Sequence, residues 1–338
     1  LLVAGSWLCA LVEALLCQSE HGIEIQFPPR RFPRQRLMTQ PEVGRPTRQR
    51  LAPLWRLLSC IRFDEVCVLQ GAPVIGACFA IINFHAATLL TIAALIAGNL
   101  LLVAHVFVLN DWSGAQTDLH DPTRAKQTYL AKGENAERMK FLAWALLILA
   151  LLVFATIGKA SFAIAALIAT LSAIYSLPGL QGKGVPLLNS LLHVLGGTLH
   201  FLLGYVALSP ISSRSVAIGC YFGLVFAAGH LIHETRDHNA DQQNCIRTNA
   251  VAFGKRASFL VGTLLFSVAY ITLTVMAWRG LVPFILSLAV ALYVIHLCAA
   301  WRALRDGLTY TSVRRLQSTY RNIHVLIGIV MLFTVPPW

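Results

Sequence analysis

Charge is scarce in this chain. Asp, Glu, Lys and Arg make up 12% of its 338 residues, hydrophobic residues make up 57%, and the mean hydropathy is +0.66. A soluble domain carries roughly twice that charge, so an ordinary water-soluble globule is excluded. Acid is scarcer still, at 15 residues against 27 basic ones, and residues 66–110 hold none. The eight cysteines (9, 17, 60, 67, 78, 220, 245 and 298) form no C-x-x-C pair. Most lie in or beside apolar runs and are expected to be small buried hydrophobes, not a disulfide framework. The segment His230–Glu234 lacks the H-E-x-x-H arrangement of a zinc site, and its histidines read as helix-packing residues. Few polar residues interrupt the apolar runs, and no inverted repeat is visible, which argues against a transporter or channel.

What is present is hydrophobic length. Nine apolar runs have the size of membrane spans: 66–82, 87–109, 141–157, 160–177, 187–208, 216–232, 260–278, 281–300 and 323–336. They are too long for strands and lack period-two alternation. Helices also satisfy their own backbone hydrogen bonds, as lipid requires. The expected fold is therefore an all-α integral membrane protein of nine transmembrane helices with a polar cytoplasmic cap.

The net charge of +12 would point to nucleic acid in a soluble protein, but its placement points to a membrane. Of the 27 basic residues, 24 lie before the first run or in alternate connections, and the opposite connections hold only Lys159, Arg214 and Arg279. This is positive-inside patterning. It places the N-terminus in the cytoplasm of a bacterial-type inner membrane and excludes nucleic acid as partner. Two domains are expected: a basic, Pro- and Arg-rich tail over 1–56 that is disordered and touches anionic lipid, and a membrane domain over 57–338. The stretch 1–17 is a poor signal peptide and a marginal span, so folding is expected to begin near Met38.

The acids are the sharpest signal. Of the nine beyond residue 100, five fall at 111, 118, 121, 134 and 137, three at 234, 237 and 241, and Asp306 stands apart. Both clusters begin where an apolar run ends, near a depth at which ionised groups are costly and usually functional. Asp237 and Asp241 are i and i+4 on one helix face, with Glu234 a turn earlier, and Asp111 and Asp118 are two turns apart beside Asn110. Like charges this close repel unless a cation lies between them, and grouped oxygen ligands favour Mg²⁺ completed by substrate phosphate. Basic residues are interleaved: Arg124 and Lys126, Arg236 and Arg247, and Lys183 between the fourth and fifth runs. Acids and bases together fit a metal-bridged diphosphate. Glu134, Glu137, Arg138, Lys255 and Arg256 read as solvated surface, Asp306 as a surface pair with Arg302 and Arg305, and His193 and His200 as hydrogen-bonded core.

Three motifs in this helical context resemble the UbiA superfamily of membrane-embedded prenyltransferases. Asn110-Asp111-Trp112-Ser113-Gly114-Ala115-Gln116-Thr117-Asp118 is similar to that family's first aspartate motif, Asn-Asp-x-x-Asp-x-x-x-Asp. Asp237-His238-Asn239-Ala240-Asp241, followed by Cys245 to Thr248 and Gly254, is similar to the second. Tyr175-Ser176-Leu177-Pro178 with Lys183 resembles the Tyr-Ser segment and basic loop. The likeness covers roughly residues 55–338. It implies a nine-helix UbiA-like bundle in which Asp111, Asp118, Asp237 and Asp241 hold Mg²⁺. Lys183, Arg124, Lys126 and Arg247 then meet the diphosphate, Asn110 orients a metal-bound oxygen, and Tyr175 steadies an allylic cation or the acceptor. The implied reaction is Mg²⁺-dependent transfer of a polyprenyl group from a polyprenyl diphosphate to an aromatic or quinone-precursor acceptor in the membrane, releasing diphosphate. Two departures stand out. Gly114 removes one metal ligand, which Asp121 replaces unless the metal is held less tightly. Cys245 replaces a glycine and is expected to alter loop shape more than chemistry. Alternatives in view are phosphoribosyl transfer to a polyprenyl phosphate, for which Asp121-Pro122-Thr123-Arg124 is a faint signal, and an inactive isoprenoid-binding relative. Deleting residues 1–37 is expected to leave folding and activity intact, checked by size-exclusion profile and turnover of the truncated protein; loss of either refutes the assignment of the tail.

Overall fold

The computed structural model of the protein describes residues 57–83, 85–118 and 128–334. Within them the elements are helices and short 3-10 turns. Helices α1 (Phe63–Val68) and α2 (Gly71–Ala80) come first, followed by α3 (Ala86–Asp118), α4 (Ala136–Ile157), α5 (Lys159–Ser176), α6 (Leu188–Val206) and α7 (Ser213–Gln243). The short α8 (Asn249–Phe253), then α9 (Lys255–Trp278), α10 (Ala289–Arg305) and α11 (Tyr310–Thr334) complete the order. Among the described residues each of the nine apolar runs falls mainly on helix. By length and apolarity six segments suffice to cross a membrane: 86–115, 136–157, 159–176, 213–243, 255–278 and 284–305. The first run is a shorter apolar helix, Glu65–Ala80, divided because Pro73 has no N–H to continue the hydrogen-bond ladder back to Leu69. At that break Gln70 donates to the Val66 carbonyl at 2.9 Å and accepts from Asn99 of α3 at 2.9 Å.

Helix α6 lies among α2, α5 and α7, and small residues set its two closest crossings. A Cβ on Gly204 would stand 1.8 Å from the Pro73 carbonyl oxygen, and one on Gly76 would stand 2.1 Å from that of Phe201. On the α7 side, a Cβ on Gly197 would meet the Phe222 carbonyl oxygen at 2.8 Å, and one on Gly223 the Val194 carbonyl oxygen at 2.5 Å. Backbone-to-backbone approach of this kind gains dispersion contact that lipid cannot replace. Outward faces carry exposed Leu89, Leu90, Phe141, Leu152, Leu264 and Ile271, a surface suited to hydrocarbon and not to water.

Three expectations change at this level. The acid clusters are not loops where they begin: α3 runs on past Leu109 to Asp118, and α7 past Ile232 to Gln243. A helix of 33 residues is about 50 Å long, well beyond a hydrocarbon core of about 30 Å, so its polar end continues as helix outside the apolar stretch. Among the described residues the cysteines are not mostly buried: Cys67, Cys220, Cys245 and Cys298 are exposed, Cys78 is part-buried and Cys60 is buried, because a lipid-facing position has the same apolar neighbours in sequence as a core position. Glu134 is buried and paired with Arg138 at 3.4 Å, while Asp306 is exposed without an ion pair among the described residues. Residues 1–56, and with them the expected disordered tail and the start near Met38, lie outside the described residues.

Gly204→Val is expected to drive α2 and α6 apart and to cost about 3 kcal/mol or more, since the atom it meets is backbone and cannot rotate away. Thermal unfolding in detergent checks this; an unchanged midpoint would mean the crossing is looser than described.

Candidate functional site

Two acidic helix ends and one strained loop carry the polar residues. At the end of α3, Asp111 receives a two-pronged guanidinium from Arg62, which precedes α1. Arg62 Nε donates at 3.0 Å to Oδ2, and Nη2 donates to Oδ1. Arg62 also lies over the Phe107 ring at 5.8 Å. The surroundings are a small core of Val66, Val108, Leu109, Ala115 and Met139, closed by Lys132 donating to the Ser59 carbonyl at 2.8 Å. Cys60 sits in that core, and burial pushes its thiol up, which keeps it protonated and disqualifies it as a thiolate ligand. Asn110 turns a buried Oδ1 that has no hydrogen-bond partner. Gly114 is buried one turn on, so the position of the missing carboxylate is empty of side chain. Asp118 is the last residue of α3; its side chain, with Asp121, Arg124 and Lys126, lies outside the described residues.

At the end of α7, Arg236 and His233 hold Asp237. Arg236 Nε donates to Oδ1 at 2.7 Å and Nη2 to Oδ2 at 3.0 Å, while His233 Nε2 lies 3.0 Å from Oδ2. Arg236 reaches on to Gln317 of α11 at 2.8 Å and over the Tyr310 ring at 5.5 Å. Asp241 is buried, one turn further. The chain then turns sharply, with Ile246 N–H donating to the Asp241 carbonyl at 2.9 Å and Cys245 at φ 55°. That is left-handed backbone, the conformation a glycine would supply freely, adopted here by a residue with a Cβ at about 1–2 kcal/mol.

The basic loop is strained in the same way. Lys183 occupies a 3-10 turn, Gly182–Gly184, between Gln181 at φ 42° and Leu187 at φ 65°. Glu234 ties this loop to α7 and α8. Its Oε1 accepts from Asn189 Nδ2 at 2.5 Å and its Oε2 from Asn249 Nδ2 at 3.0 Å. Asn189 also donates to the Lys183 carbonyl at 3.2 Å, and Asn249 accepts from the Leu187 N–H at 2.7 Å. A Cβ on Gly184 would lie 4.0 Å from the Arg247 backbone nitrogen. Lys183, Arg247 and the second acidic motif are therefore brought together by Glu234, a residue to which sequence spacing gave no separate role. Tyr175 meets His193 and His230 edge-on at 5.4 and 6.4 Å.

Whether these residues fit a metal-bound diphosphate rests on unmet polar groups. Besides Asn110 Oδ1, the side-chain atoms Asn244 Oδ1 and Nδ2, Thr248 Oγ1, Ser176 Oγ and His230 Nε2 are buried without a hydrogen-bond partner. Buried polar atoms are normally partnered; others without a partner lie elsewhere in the bundle, such as Ser161, Ser258 and His296, and those in or beside the motifs fit a polar ligand. The fit is incomplete in one respect: no three His, Cys, Asp or Glu side chains converge as a metal cage among the described residues. A metal here would draw on substrate oxygens and on Asp118.

Comparison with known proteins agrees with this framework. The model of the UbiA prenyltransferase family matches residues 71–315, and the chain belongs to that family. With its apolar helices, this makes it an integral membrane protein. The fold is similar to that of a UbiA homolog from Archaeoglobus fulgidus bound to GPP and Mg²⁺, with TM-score 0.63 at 16% identity over 82% of this chain and 100% of that one. It is also similar to the apo structure of a UbiA homolog from Aeropyrum pernix K1, with TM-score 0.68 at 14% identity over 82% and 100%. A third likeness is to digeranylgeranylglyceryl phosphate synthase, with TM-score 0.62 at 16% identity over 83% and 97%. No curated protein matches the chain.

Asn249→Ala is expected to destabilise the protein by about 3 kcal/mol, because it strips a buried carboxylate of one of its two amide partners. Thermal unfolding checks it. Asn249→Asp should be worse, placing a second carboxylate against Glu234.

Proposed function

We propose that the protein is a Mg²⁺-dependent prenyltransferase that moves a polyprenyl group from its diphosphate to an aromatic or quinone-precursor acceptor within the membrane. The reading places nine spans in the bilayer of a bacterial-type inner membrane, with the N-terminus and the acidic helix ends on the cytoplasmic side and residues 1–56 as a separate basic tail. The observation that carries it is the set of unpartnered buried polar atoms within or beside the three motifs, at Asn110, Ser176, Asn244 and Thr248, in a chain whose family transfers prenyl groups. The Mg²⁺ and GPP of the Archaeoglobus fulgidus homolog support the choice of ligands.

In this reading Asp111, Asp118, Asp237 and Asp241 hold the metal, with Asp121 replacing the ligand lost at Gly114. Magnesium, when bound, neutralises charge developing on the leaving diphosphate. The chain supplies the rest. Lys183, Arg124, Lys126 and Arg247 bind and orient the diphosphate oxygens. Arg62 and Arg236, which cover Asp111 and Asp237, turn from carboxylate to diphosphate when the donor arrives. Asn110 fixes the orientation of a metal ligand, and Tyr175 presents its ring to the allylic cation. The acidic helix ends and the Lys183 loop exclude water, which would capture that cation.

One binding experiment tests the proposal without the acceptor: a non-hydrolysable geranylgeranyl diphosphate analogue, titrated onto detergent-purified protein with Mg²⁺ and then with EDTA. Binding is expected to need the metal and to weaken about tenfold or more in Asp237→Asn, which stays folded because the amide oxygen still accepts from Arg236. Binding indifferent to metal would make the chain an inactive isoprenoid-binding relative, the reading that Gly114 favours. No binding would end the prenyl-transfer reading.

A further inference from the structure

Two turns before Asp237 on α7, three rings meet. His193 of α6 and His230 of α7 stack face to face, centroids 3.6 Å apart and planes 13° from parallel, and Tyr175 stands edge-on to both. His230 is seven residues from Asp237, on the same helix face and about 10 Å along the axis. All three rings are only part-buried. On the prenyl-transfer reading, a diphosphate anchored at Asp237 and Lys183 would extend its first carbons toward that level, with the bond that breaks between the acids and the rings.

The hydrogen bonds fix where protons sit. His193 Nδ1 lies 2.7 Å from the Asn189 carbonyl oxygen, which can only accept, so Nδ1 carries the hydrogen and Nε2 the lone pair. No described residue hydrogen-bonds to that Nε2. His200 and His324 make the same bond to their own helix carbonyls, but their Nε2 atoms are sealed in the bundle. Behind His193, His230 holds Nε2 3.1 Å from Glu234 Oε1, at ion-pair distance without hydrogen-bond alignment. A carboxylate thus lies at the His230 edge of the stack, and His193 is hydrogen-bonded as a core histidine would be but is only part-buried.

The geometry points to His193 as the proton acceptor of this site, with His230 and Glu234 as positioning residues; the inference rests on the prenyl-transfer reading. The carbon–oxygen bond of the donor breaks and its electron pair leaves on the diphosphate. A ring carbon of the acceptor forms the new carbon–carbon bond. The proton that carbon then sheds passes to His193 Nε2, and its bonding pair restores the aromatic ring. The imidazolium is stacked on the His230 ring, whose Nε2 edge lies 3.1 Å from Glu234 Oε1. With no acceptor bound, the same nitrogen takes a proton from a carbon next to the cation, and that C–H pair becomes a double bond, leaving a polyene.

The acceptor-free reaction provides the test. Wild type, His193→Gln and Glu234→Gln are incubated with geranyl diphosphate and Mg²⁺, with an EDTA control, and the ratio of C10 polyene to C10 alcohol is read by gas chromatography. Binding of a non-hydrolysable geranyl diphosphate analogue is measured in parallel. Polyene is expected to dominate in wild type. In His193→Gln the ratio should fall about tenfold or more, in line with loss of a general base, with analogue binding within about twofold. Glu234→Gln should shift the ratio in the same direction by less. His193→Ala is read with and without added imidazole, and restored polyene both supports the role and shows that the variant is folded. An unchanged ratio in His193→Gln overturns the proposal, as does a wild type that binds the analogue but forms no polyene. If His193→Gln loses binding, the imidazole response of His193→Ala decides, and no restored polyene counts against it. Failure of wild type to bind the analogue removes the prenyl-transfer reading itself, and the inference with it.

Discussion

A carboxylate that is 3% exposed inside a membrane bundle is costly unless its oxygens are satisfied, and Glu234 meets that condition with two amides from different parts of the chain. Asn189 comes from the start of α6 and Asn249 from α8, and each also holds the backbone of the Lys183 loop. The result is a three-way tie between the basic loop, the acid end of α7 and the turn carrying Arg247. It also accounts for the left-handed backbone at Gln181, Leu187 and Cys245. Strained residues persist where surrounding bonds over-determine them, and here three of them flank segments fixed by one carboxylate.

The bilayer imposes the second constraint. Helices α3 and α7 are long enough to cross hydrocarbon and continue beyond it, so Asp111, Asp237 and Asp241 sit on helix and not on loop. Rigidity below them comes from α6, which glycines bring into backbone contact with α2 and α7. A side chain at Gly204 or Gly223 would have to displace carbonyl groups. The registers of α2, α6 and α7, and with them the heights of His193, His230 and Asp237, are therefore set by contacts that leave little room for sliding.

Much of this was legible in the sequence, and the remainder was hidden for physical reasons. Apolar length and the alternation of basic residues give the helices because lipid acts on composition directly. Asp111, Asp237 and Asp241 stand out because acids are so rare around them. Glu234 belongs to the same cluster, but its partners are 45 and 15 residues away, and no local pattern connects a carboxylate to two distant asparagines. His193 and His200, seven apart, look like one core ridge of α6; only the packing of α5 and α7 separates a ring in the Tyr175 cluster from one sealed in the bundle. Exposed Cys220 and Cys298 were misread because a lipid-facing stripe and a core stripe have the same composition.

The arginine pairs bear on the weakest part of the first motif. Asp111 and Asp237 each face a guanidinium through two hydrogen bonds, so the carboxylates are compensated before any metal arrives. A site with one acid fewer, owing to Gly114, then has less repulsion to overcome and less need of metal charge to stay assembled. In the proposed reading each arginine would exchange its carboxylate for another oxyanion, and a diphosphate would offer that exchange at little cost because charge-assisted bonds are lost and regained together. Metal and donor would thereby be coupled in that reading, each favouring the binding of the other.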